Sequence, residues 1–422
     1  MSNVGKLTTM RQPAQNLRRR QEAGQVPLRV RPHGAVQRLS PPQLAFRQTV
    51  HQYGVDLCWT PMILAKEFNR SEFARDNLTI STQGVQPPTI LQFGANKPLE
   101  LARASALAAP FVSGVDLNCG CPQSWACAET LGAALMNRRE LVRDMVVETR
   151  DRLRGDGWAV GMEADVNSPR GRSVSVKIRV HDDLRCVGGP PLDECADGVL
   201  CRKTMDFLDT VIGHPQNRLV DWVTIHPRTR STPSTTPIRT EALDILTAKY
   251  AGTLPILLSG DVFDLSSLPF KPSTPPPPDL ATLTLKDDAD QHPRHPNGTA
   301  NGALVGDAST QPRPSNTNLS GFMSARGLLA NPALFAGHPT CPWEAVEAFM
   351  CNVARCPLPF KLVVHHVSEM CGPGFATDRK PLLGRRDRAR LSSLADMCEL
   401  IDYLDEKLEE RTGRKGGLRR DL

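Results

Sequence analysis

Long apolar runs are missing from this 422-residue sequence, since every hydrophobic stretch is interrupted by Arg, Asp, Glu or Pro. A helix that crosses a membrane needs about 20 predominantly apolar residues, so no membrane association is expected. The N-terminus also lacks the apolar core of a secretory signal, which predicts reduced thiols for the 12 cysteines rather than a disulfide framework. These absences together favour a soluble cytoplasmic protein, with a nuclear or mitochondrial location as the alternatives.

Positive charge is in small excess, at a formal net charge of +6, and it is prominent at both ends of the chain. Residues 1–40 contain seven arginines and one acidic residue, with little apolar periodicity. We interpret this segment as a disordered basic arm; a transit peptide, a solvated tail and an RNA-contacting arm are its alternative roles. Residues 411–422 form a second, shorter basic tail.

The central part of the chain alternates short β-rich apolar runs with longer helical stretches. The runs occupy residues 55–63, 88–95, 114–121, 173–180, 220–227, 254–261 and 320–327. Repetition of this unit over about 300 residues favours an α/β fold of the closed (β/α)8 TIM-barrel type, which we place at residues 41–340. Residues 186–200 and 269–318 interrupt the rhythm and are predicted to be surface insertions, the second rich in proline. Amphipathic segments over 341–410 predict a C-terminal helical domain.

Polar side chains follow the predicted strands, where TIM-barrel enzymes carry their active sites. In chain order these positions hold Gln92, Asn118, Cys119, Cys121, Lys177, Arg179, His226, Arg228, Gly260, Asp261, Ala325, Arg326 and Gly327. The loops "SGD" and "SARGLLANP" have the small residues that let backbone N–H groups approach a phosphate, although their glycines could also simply close turns. With Lys177 and Gln92, the set is typical of a cradle for a phosphorylated planar cofactor.

The stretch "VDLNCGCPQSW", residues 115–125, places two cysteines around Gly120. A metal site would require further ligands at suitable spacing, and the sequence has no zinc-ribbon partner pair, so we predict no metal. Cys119 is expected to be packed as a small buried side chain. Cys121 precedes Pro122, where the chain must bend, and is expected at the barrel mouth. A thiol with the usual pKa of about 8.5 is protonated at neutral pH, and it can donate a proton to a carbanion-like carbon.

Several of these motifs resemble those of the tRNA-dihydrouridine synthases. They are "DLNCGCPQ", the following "GAALM", "VKIRVH", "TIHPRTRSTP", "SGDV" and "ARGLLANPALFAG". The segments "LAFRQTV", "YGVDLCWTPMILAKEFNRSEFARD" and "HHVSEM" are most similar to the eukaryotic branch that acts at positions 20a and 20b of the tRNA D-loop. The resemblance spans residues 44–405.

The resemblance implies an FMN-dependent enzyme that reduces uridine to 5,6-dihydrouridine, an oxidoreductase acting on a CH–CH group with NAD(P) as acceptor. NADPH or NADH would reduce FMN, whose hydride would go to C6 of a flipped-out uridine while Cys121 protonates C5. The residues around FMN would be Gln92, Asn118, Lys177, His226, Ser259, Gly260, Asp261, Ala325 and Arg326. The helical domain would grip tRNA, and a monomer is expected. The candidates for a positive rim that contacts the RNA are Arg179, Arg228, Arg385 and Arg386.

The sequence departs from the family pattern at three places. The Ala-Pro-Met motif expected in the first strand is replaced by "VQRLSP" at 36–41, Ser259 stands where the family has Asn, and Pro227 stands where it has Gly. Two alternatives therefore stay open: a tRNA-binding protein impaired in catalysis, and a flavin oxidoreductase that acts on a free small substrate. The set Cys121, Lys177 and His226 argues against the first, and the helical domain and basic arms argue against the second.

Overall fold

The computed structural model describes residues 44–76, 87–161, 170–182, 201–265, 268, 319–375 and 380–413, together with the backbone of residues 28–30. Nearly all of the predicted basic arm, both predicted insertions and nearly all of the C-terminal tail lie outside these ranges. Among the helices that are described, none is long and apolar enough to span a membrane.

Eight parallel strands close into a barrel. The described part of the chain contains ten strands: β1 (Leu28–Val30), β2 (Leu57–Trp59), β3 (Ile63–Leu64), β4 (Thr89–Gly94), β5 (Gly114–Cys119), β6 (Ala159–Val160), β7 (Gly171–Arg179), β8 (Trp222–His226), β9 (Ile256–Ser259) and β10 (Leu319–Ser324). The order of strands around the ring is β1, β2, β4, β5, β7, β8, β9, β10 and back to β1. The two short strands outside the ring each pair with one ring strand: β3 with β4, and β6 with β7. Strands buried on both faces need continuous apolar runs, and the TIM-barrel fold predicted from those runs is confirmed.

The first barrel strand, β1, lies inside the segment that the sequence analysis interpreted as a basic arm. Leu28 is in register with Phe322 of β10, and Arg29 is in register with Leu57 of β2. The strand is three residues long, which is too short to show the alternating pattern that would predict it. The segment 36–41, where the first-strand motif was sought, lies outside the described residues.

Helices cover the outside of the barrel. They are α1 (Leu44–Gln52), α2 (Ala65–Arg70), α3 (Glu72–Asp76), α4 (Pro98–Ala108), α5 (Ser124–Ala128), α6 (Arg139–Gly155), α7 (Arg202–Ile212), α8 (Thr240–Lys249) and α9 (Arg326–Ala330). In α6 the buried face runs through Val142, Met145, Val146, Thr149 and Leu153, the spacing that one face of a helix requires. Such faces bury the outer side of the sheet, which leaves the strand ends to carry the polar chemistry.

Four helices follow the barrel: α10 (Trp343–Arg355), α11 (Phe360–Met370), α12 (Arg385–Leu391) and α13 (Met397–Thr412). α10 and α11 pack onto α1 of the barrel. Phe46 meets Phe349 edge-on at 6.4 Å between ring centroids, and Asn352 Nδ2 donates to Thr49 Oγ1 at 3.0 Å. The apolar residues of this seam belong to the same core as those between sheet and helices, so α10 and α11 are joined to the barrel by continuous packing.

His366 of α11 lies in this seam. Its ring is fully buried and stacks on Phe46 at 4.8 Å, and neither ring nitrogen has a hydrogen-bond partner among the described residues. Burial, with a smaller contribution from His365, lowers the pKa of His366 to about 3. The imidazole is therefore neutral in the folded protein at any pH near neutrality.

This buried imidazole predicts acid sensitivity. An unfolded chain binds a proton on His366 below pH 6.5, whereas the folded chain binds it only near pH 3, so stability is lost as pH falls through that window. Between pH 7 and pH 5 the loss from this residue should reach about 2 kcal/mol. His366→Leu should flatten the dependence of the urea midpoint on pH. The exposed neighbour is the control: His365→Leu should keep the wild-type slope, and equal slopes in wild type and His366→Leu would refute the assignment.

Candidate active site

A chain of hydrogen bonds crosses the barrel interior below its mouth. Asp116 of β5 is in register with Gln92 of β4 and Ser175 of β7, and its carboxylate accepts from Gln92 Nε2 at 2.6 Å and from Ser175 Oγ at 2.7 Å. Asn118 Nδ2 donates to Gln92 Oε1 at 2.7 Å. All four side chains are buried. Because three adjacent strands contribute, this network fixes how the strand ends sit relative to one another.

The network continues into the loop that carries Cys121. Asn118 Oδ1 accepts from the backbone N–H of Gly120 at 3.0 Å and of Cys121 at 2.8 Å. On the other side, the Cys121 carbonyl accepts from Ala133 N at 2.8 Å. Gly132 has φ of +60°, and a Cβ there would lie 2.5 Å from that carbonyl oxygen, so only glycine allows this approach. The "GAALM" motif thus serves as the second support of the cysteine loop.

The two cysteines of this loop occupy different environments. Cys119 is fully buried, as expected, and burial, with a smaller effect of Asp116, raises the pKa of its thiol well above the usual value. Cys121 is half-buried, and its Sγ lies 3.8 Å from Gln123 Oε1. The carbonyl of Gly120 between them accepts from Arg179 Nε at 2.8 Å. Only the second thiol is open to a molecule at the barrel mouth.

A positive cluster surrounds His226 at the end of β8. Burial, followed by the charges of Lys177, Arg179, Arg228 and Arg326, holds the pKa of His226 well below its usual value. The ring is therefore neutral, and Arg228 Nη1 lies 3.0 Å from its Nε2. Since a guanidinium only donates, Nε2 is the acceptor and Nδ1 carries the proton. His226 can then offer one N–H toward an anionic or polar group.

The loops after β9 and β10 approach each other closely. Gly260 has φ of +114°, and a Cβ there would lie 2.7 Å from the His226 ring. The next residue, Asp261, accepts from Arg228 Nη2 at 2.5 Å and from Ile238 N at 2.9 Å. Ser324 Oγ donates to the Val262 carbonyl at 2.7 Å and joins the two loops. The glycines therefore serve close approach as well as turning, the arrangement that barrels use around phosphates.

Ser259 and Ala325 mark the ends of the strands that carry these loops. Ser259 is the last residue of β9 and is in register with Met323 of β10. Ala325 precedes α9, and its carbonyl accepts from Leu329 N at 3.1 Å. Both residues are half-buried at the mouth, so the structure brings them to the edge that also holds Gly260.

Arg326 is exposed at the mouth and is oriented by two phenylalanines. Its guanidinium carbon lies 5.1 Å from the ring centroid of Phe263 and 5.9 Å from that of Phe375. The two rings stack on each other at 4.3 Å. Cation–π contacts of this kind hold a guanidinium without neutralising its charge. Since Phe375 follows α11, the C-terminal helical region contributes to the position of a cation at the barrel mouth.

The four arginines predicted to contact RNA divide into two pairs. Arg179 and Arg228 are buried, and their contact with RNA stays a prediction. Besides Gly120, Arg179 binds the Thr229 carbonyl at 2.6 Å, and Arg228 binds Asp261 and the Thr236 carbonyl. The positions of these arginines in the sequence could not predict that both guanidinium groups donate to backbone carbonyls. Arg385 and Arg386 are exposed on α12, and their contact with RNA stays a prediction.

The residues at the mouth fit a planar cofactor with a phosphate tail. Lys177 of β7 is buried, in register with Asn118 and with Thr224 of β8. The hydroxyl of Thr224 is buried and has no hydrogen-bond partner among the described residues, so it can bind a polar ligand atom. Arg326 and the small residues around Gly260 add an exposed charge and close backbone approach, which suit a phosphate. Within the described ranges, no three His, Cys, Asp or Glu side chains cluster to hold a metal ion.

Four residues of this site were absent from the sequence prediction: Asp116, Ser175, Gln123 and Trp125. Asp116 had a usable signal, because an acid two residues before Asn118 in an apolar strand must point to the same side as Asn118. Ser175 stands in the same relation to Lys177. Gln123 precedes the short helix α5 and Trp125 lies in it, and no periodic pattern indicates that their side chains bond to each other near Cys121.

Comparison with known proteins reveals close relatives. A family model described as dihydrouridine synthase matches residues 42–270. The mouse protein named tRNA-dihydrouridine(20a/20b) synthase (NAD(P)+)-like is 31% identical over 364 residues, which cover 86% of this chain and 85% of the mouse chain. The Saccharomyces cerevisiae protein named tRNA-dihydrouridine(20a/20b) synthase (NAD(P)+) is 30% identical over 377 residues, which cover 89% and 79% of the two chains. Both alignments extend well beyond the barrel strands.

The Asn118 bonds predict the behaviour of the cysteine loop. Asn118→Ala leaves two backbone N–H groups without their acceptor, which should cost about 1–3 kcal/mol and loosen the loop. We expect faster alkylation of Cys121 by iodoacetamide, measured by mass spectrometry of the Cys121 peptide. Asn331→Ala is the matched control, because Asn331 caps its own loop through Ala333 N and the His338 carbonyl. Alkylation of Cys121 at the wild-type rate in Asn118→Ala would contradict the role assigned to Asn118.

Proposed function

Because the chain belongs to the dihydrouridine synthase family, we propose that it reduces uridine to 5,6-dihydrouridine in the tRNA D-loop, at positions 20a and 20b, with NADPH or NADH as the electron source. The observation that carries this proposal is the environment of Cys121. Its thiol is half-buried at the barrel mouth, and its loop is held by hydrogen bonds to Asn118 and from Ala133, whose close approach requires Gly132. A fixed proton donor at the mouth suits the reduction of a C=C bond.

FMN is the cofactor that we propose for this site. When bound, it supplies the hydride that saturates C6 of uridine. Arg326, Gly260, Asp261, Ala325 and His226 would hold its phosphate and ribityl end, because they provide the exposed charge, the close backbone approach and the Nδ1–H at the mouth. The ring would lie over Lys177, Gln92, Asn118 and Ser259. A neutral His226 suits this role because it donates a hydrogen bond without adding charge to an already positive cluster.

Cys121 would deliver the proton to C5 of uridine. Asn118 and Ala133 hold the backbone on both sides of the thiol, so its direction is set by the fold rather than by the substrate. Gln123 Oε1 lies 3.8 Å from Sγ and would accept the thiol hydrogen when no RNA is bound. The base must leave its stack to reach this depth, as for other enzymes that act on nucleobases.

A direct test combines spectroscopy with an RNA assay. The purified protein should show the visible absorption of a bound flavin, and it should restore dihydrouridine to tRNA in a strain that lacks the corresponding synthase. A colourless protein that restores no dihydrouridine would contradict the proposal. A yellow protein that oxidises NADPH with a free pyrimidine or quinone, and leaves tRNA unchanged, would favour a small-substrate oxidoreductase.

The two thiols give a paired prediction. Cys121→Ala should lower the rate of dihydrouridine formation by about 100- to 10,000-fold while flavin content stays at the wild-type level, because only proton transfer is removed. Cys119→Ala should keep activity and lower stability by about 1 kcal/mol, since it removes a fully buried sulfur. Both are measured with an unmodified tRNA transcript. Equal residual activity in the two variants would show that the thiols are assigned wrongly.

The α12 arginines give a binding prediction. Reversing charge in the pair Arg385→Glu and Arg386→Glu should raise the Kd for tRNA at least tenfold and flatten its dependence on salt, because phosphate contacts are lost. The matched control reverses Arg143 and Arg152, two exposed arginines of α6 that pair with Asp144 and Asp156 on the outside of the barrel. An equal loss of affinity in both double variants would mean that net charge alone is responsible.

A further inference from the structure

Trp125 presents an exposed indole beside Cys121. It lies in α5, the short helix that follows the cysteine loop, and 37% of its surface is exposed. Its Nε1 donates to Gln123 Oε1 at 2.7 Å, and the same oxygen lies 3.8 Å from Cys121 Sγ. The indole nitrogen and the sulfur can therefore be no farther apart than the sum of those two distances. An exposed tryptophan this near a reactive thiol requires an explanation.

The ring is held rather than free to swing. The hydrogen bond from Nε1 to Gln123 restrains its orientation, and the backbone of α5 is tied down by Cys127 N to the Gln123 carbonyl at 3.0 Å and by Leu131 N to the Ala126 carbonyl at 2.8 Å. Ala126 beneath it is fully buried. A rigid aromatic face loses little conformational entropy when a flat partner stacks on it.

Trp125 differs from the other exposed apolar side chains. Those in the described part of the chain are Leu99, Leu107, Phe111 and Phe375. The first three lie on α4 or just after it, and Phe375 already stacks on Phe263. No aromatic ring among the described residues stacks on Trp125. Trp125 thus keeps 37% of its surface exposed, and no aromatic ring of the described residues covers it.

We propose that Trp125 is a stacking platform for an unpaired nucleobase adjacent to the uridine that is reduced. The inference rests on the proposed function, since it requires an RNA substrate. When the reacting uridine turns into the barrel, the neighbouring base loses a stacking partner, and the indole replaces it on the protein side. Base–aromatic stacking is strong in single-stranded RNA recognition and tolerates any base. The platform would therefore contribute affinity and hold the uridine over Cys121 without reading sequence.

Two substitutions separate stacking from the hydrogen bond to Gln123. Trp125→Phe keeps an aromatic ring and loses the N–H, whereas Trp125→Leu keeps apolar bulk and loses the ring as well. The flavin-loaded protein is titrated with an unmodified tRNA transcript in the absence of NADPH and NADH, so that no turnover occurs. Kd is measured from the anisotropy of labelled RNA, and flavin content and thermal unfolding check that each variant is folded.

The expected result is a rise in Kd of about 5- to 100-fold for Trp125→Leu and little change for Trp125→Phe. Quenching of tryptophan fluorescence by the transcript should shrink in Trp125→Phe. It should persist in Trp158→Phe, because Trp158 packs against Arg172 at the opposite end of the barrel, where β6 and β7 begin.

Two outcomes would overturn the platform. Unchanged affinity in Trp125→Leu removes it outright. Equal losses in Trp125→Leu and Trp125→Phe would assign the residue to the support of Gln123 instead. A wild-type protein that neither binds nor reduces the transcript defeats the proposed function, whereas one that reduces it while Trp125→Leu binds as tightly defeats only this inference.

Discussion

The hydrogen bond between Gln92 and the Asp116 carboxylate determines which groups donate and which accept in the network that leads to the cysteine loop. The Asp116 carboxylate accepts from Gln92 Nε2, so the amide oxygen of Gln92 points toward Asn118. Asn118 donates its NH2 group to that oxygen, which leaves its own oxygen for the N–H groups of Gly120 and Cys121. One buried carboxylate thereby sets the direction of three successive contacts, and the last of them orients the cysteine loop.

The arginines near the mouth fall into two groups, one buried and one exposed. Arg179 and Arg228 donate hydrogen bonds to loop carbonyls and to Asp261, so they stabilise the scaffold. Arg326 keeps an exposed charge beside two phenylalanine rings, and Arg385 and Arg386 of α12 face solvent. The site can therefore be strongly cationic while offering an incoming anion few places to bind.

Features that repeat along the sequence could be predicted, whereas features that depend on tertiary contacts could not. Apolar runs predicted seven of the eight barrel strands, and the strand ends predicted the positions of Gln92, Asn118, Cys121 and His226 at the mouth. The burial of Arg179 could not be predicted, because its partners are the carbonyls of Gly120 and Thr229, which are 59 and 50 residues away in the chain. The strand at 28–30 was missed because three residues carry no period. The different burial of Cys119 and Cys121 could be predicted, because proline and glycine fix the local bend.

The shortest barrel strand has the largest architectural consequence. β1 is hydrogen-bonded to β2 on one side and β10 on the other, so it is the only connection between them in the ring described. If those three residues withdrew, two strand edges would face each other across an open slot, and each would display unpaired backbone groups. Closure of the barrel between β2 and β10 therefore depends on the backbone hydrogen bonds of three residues.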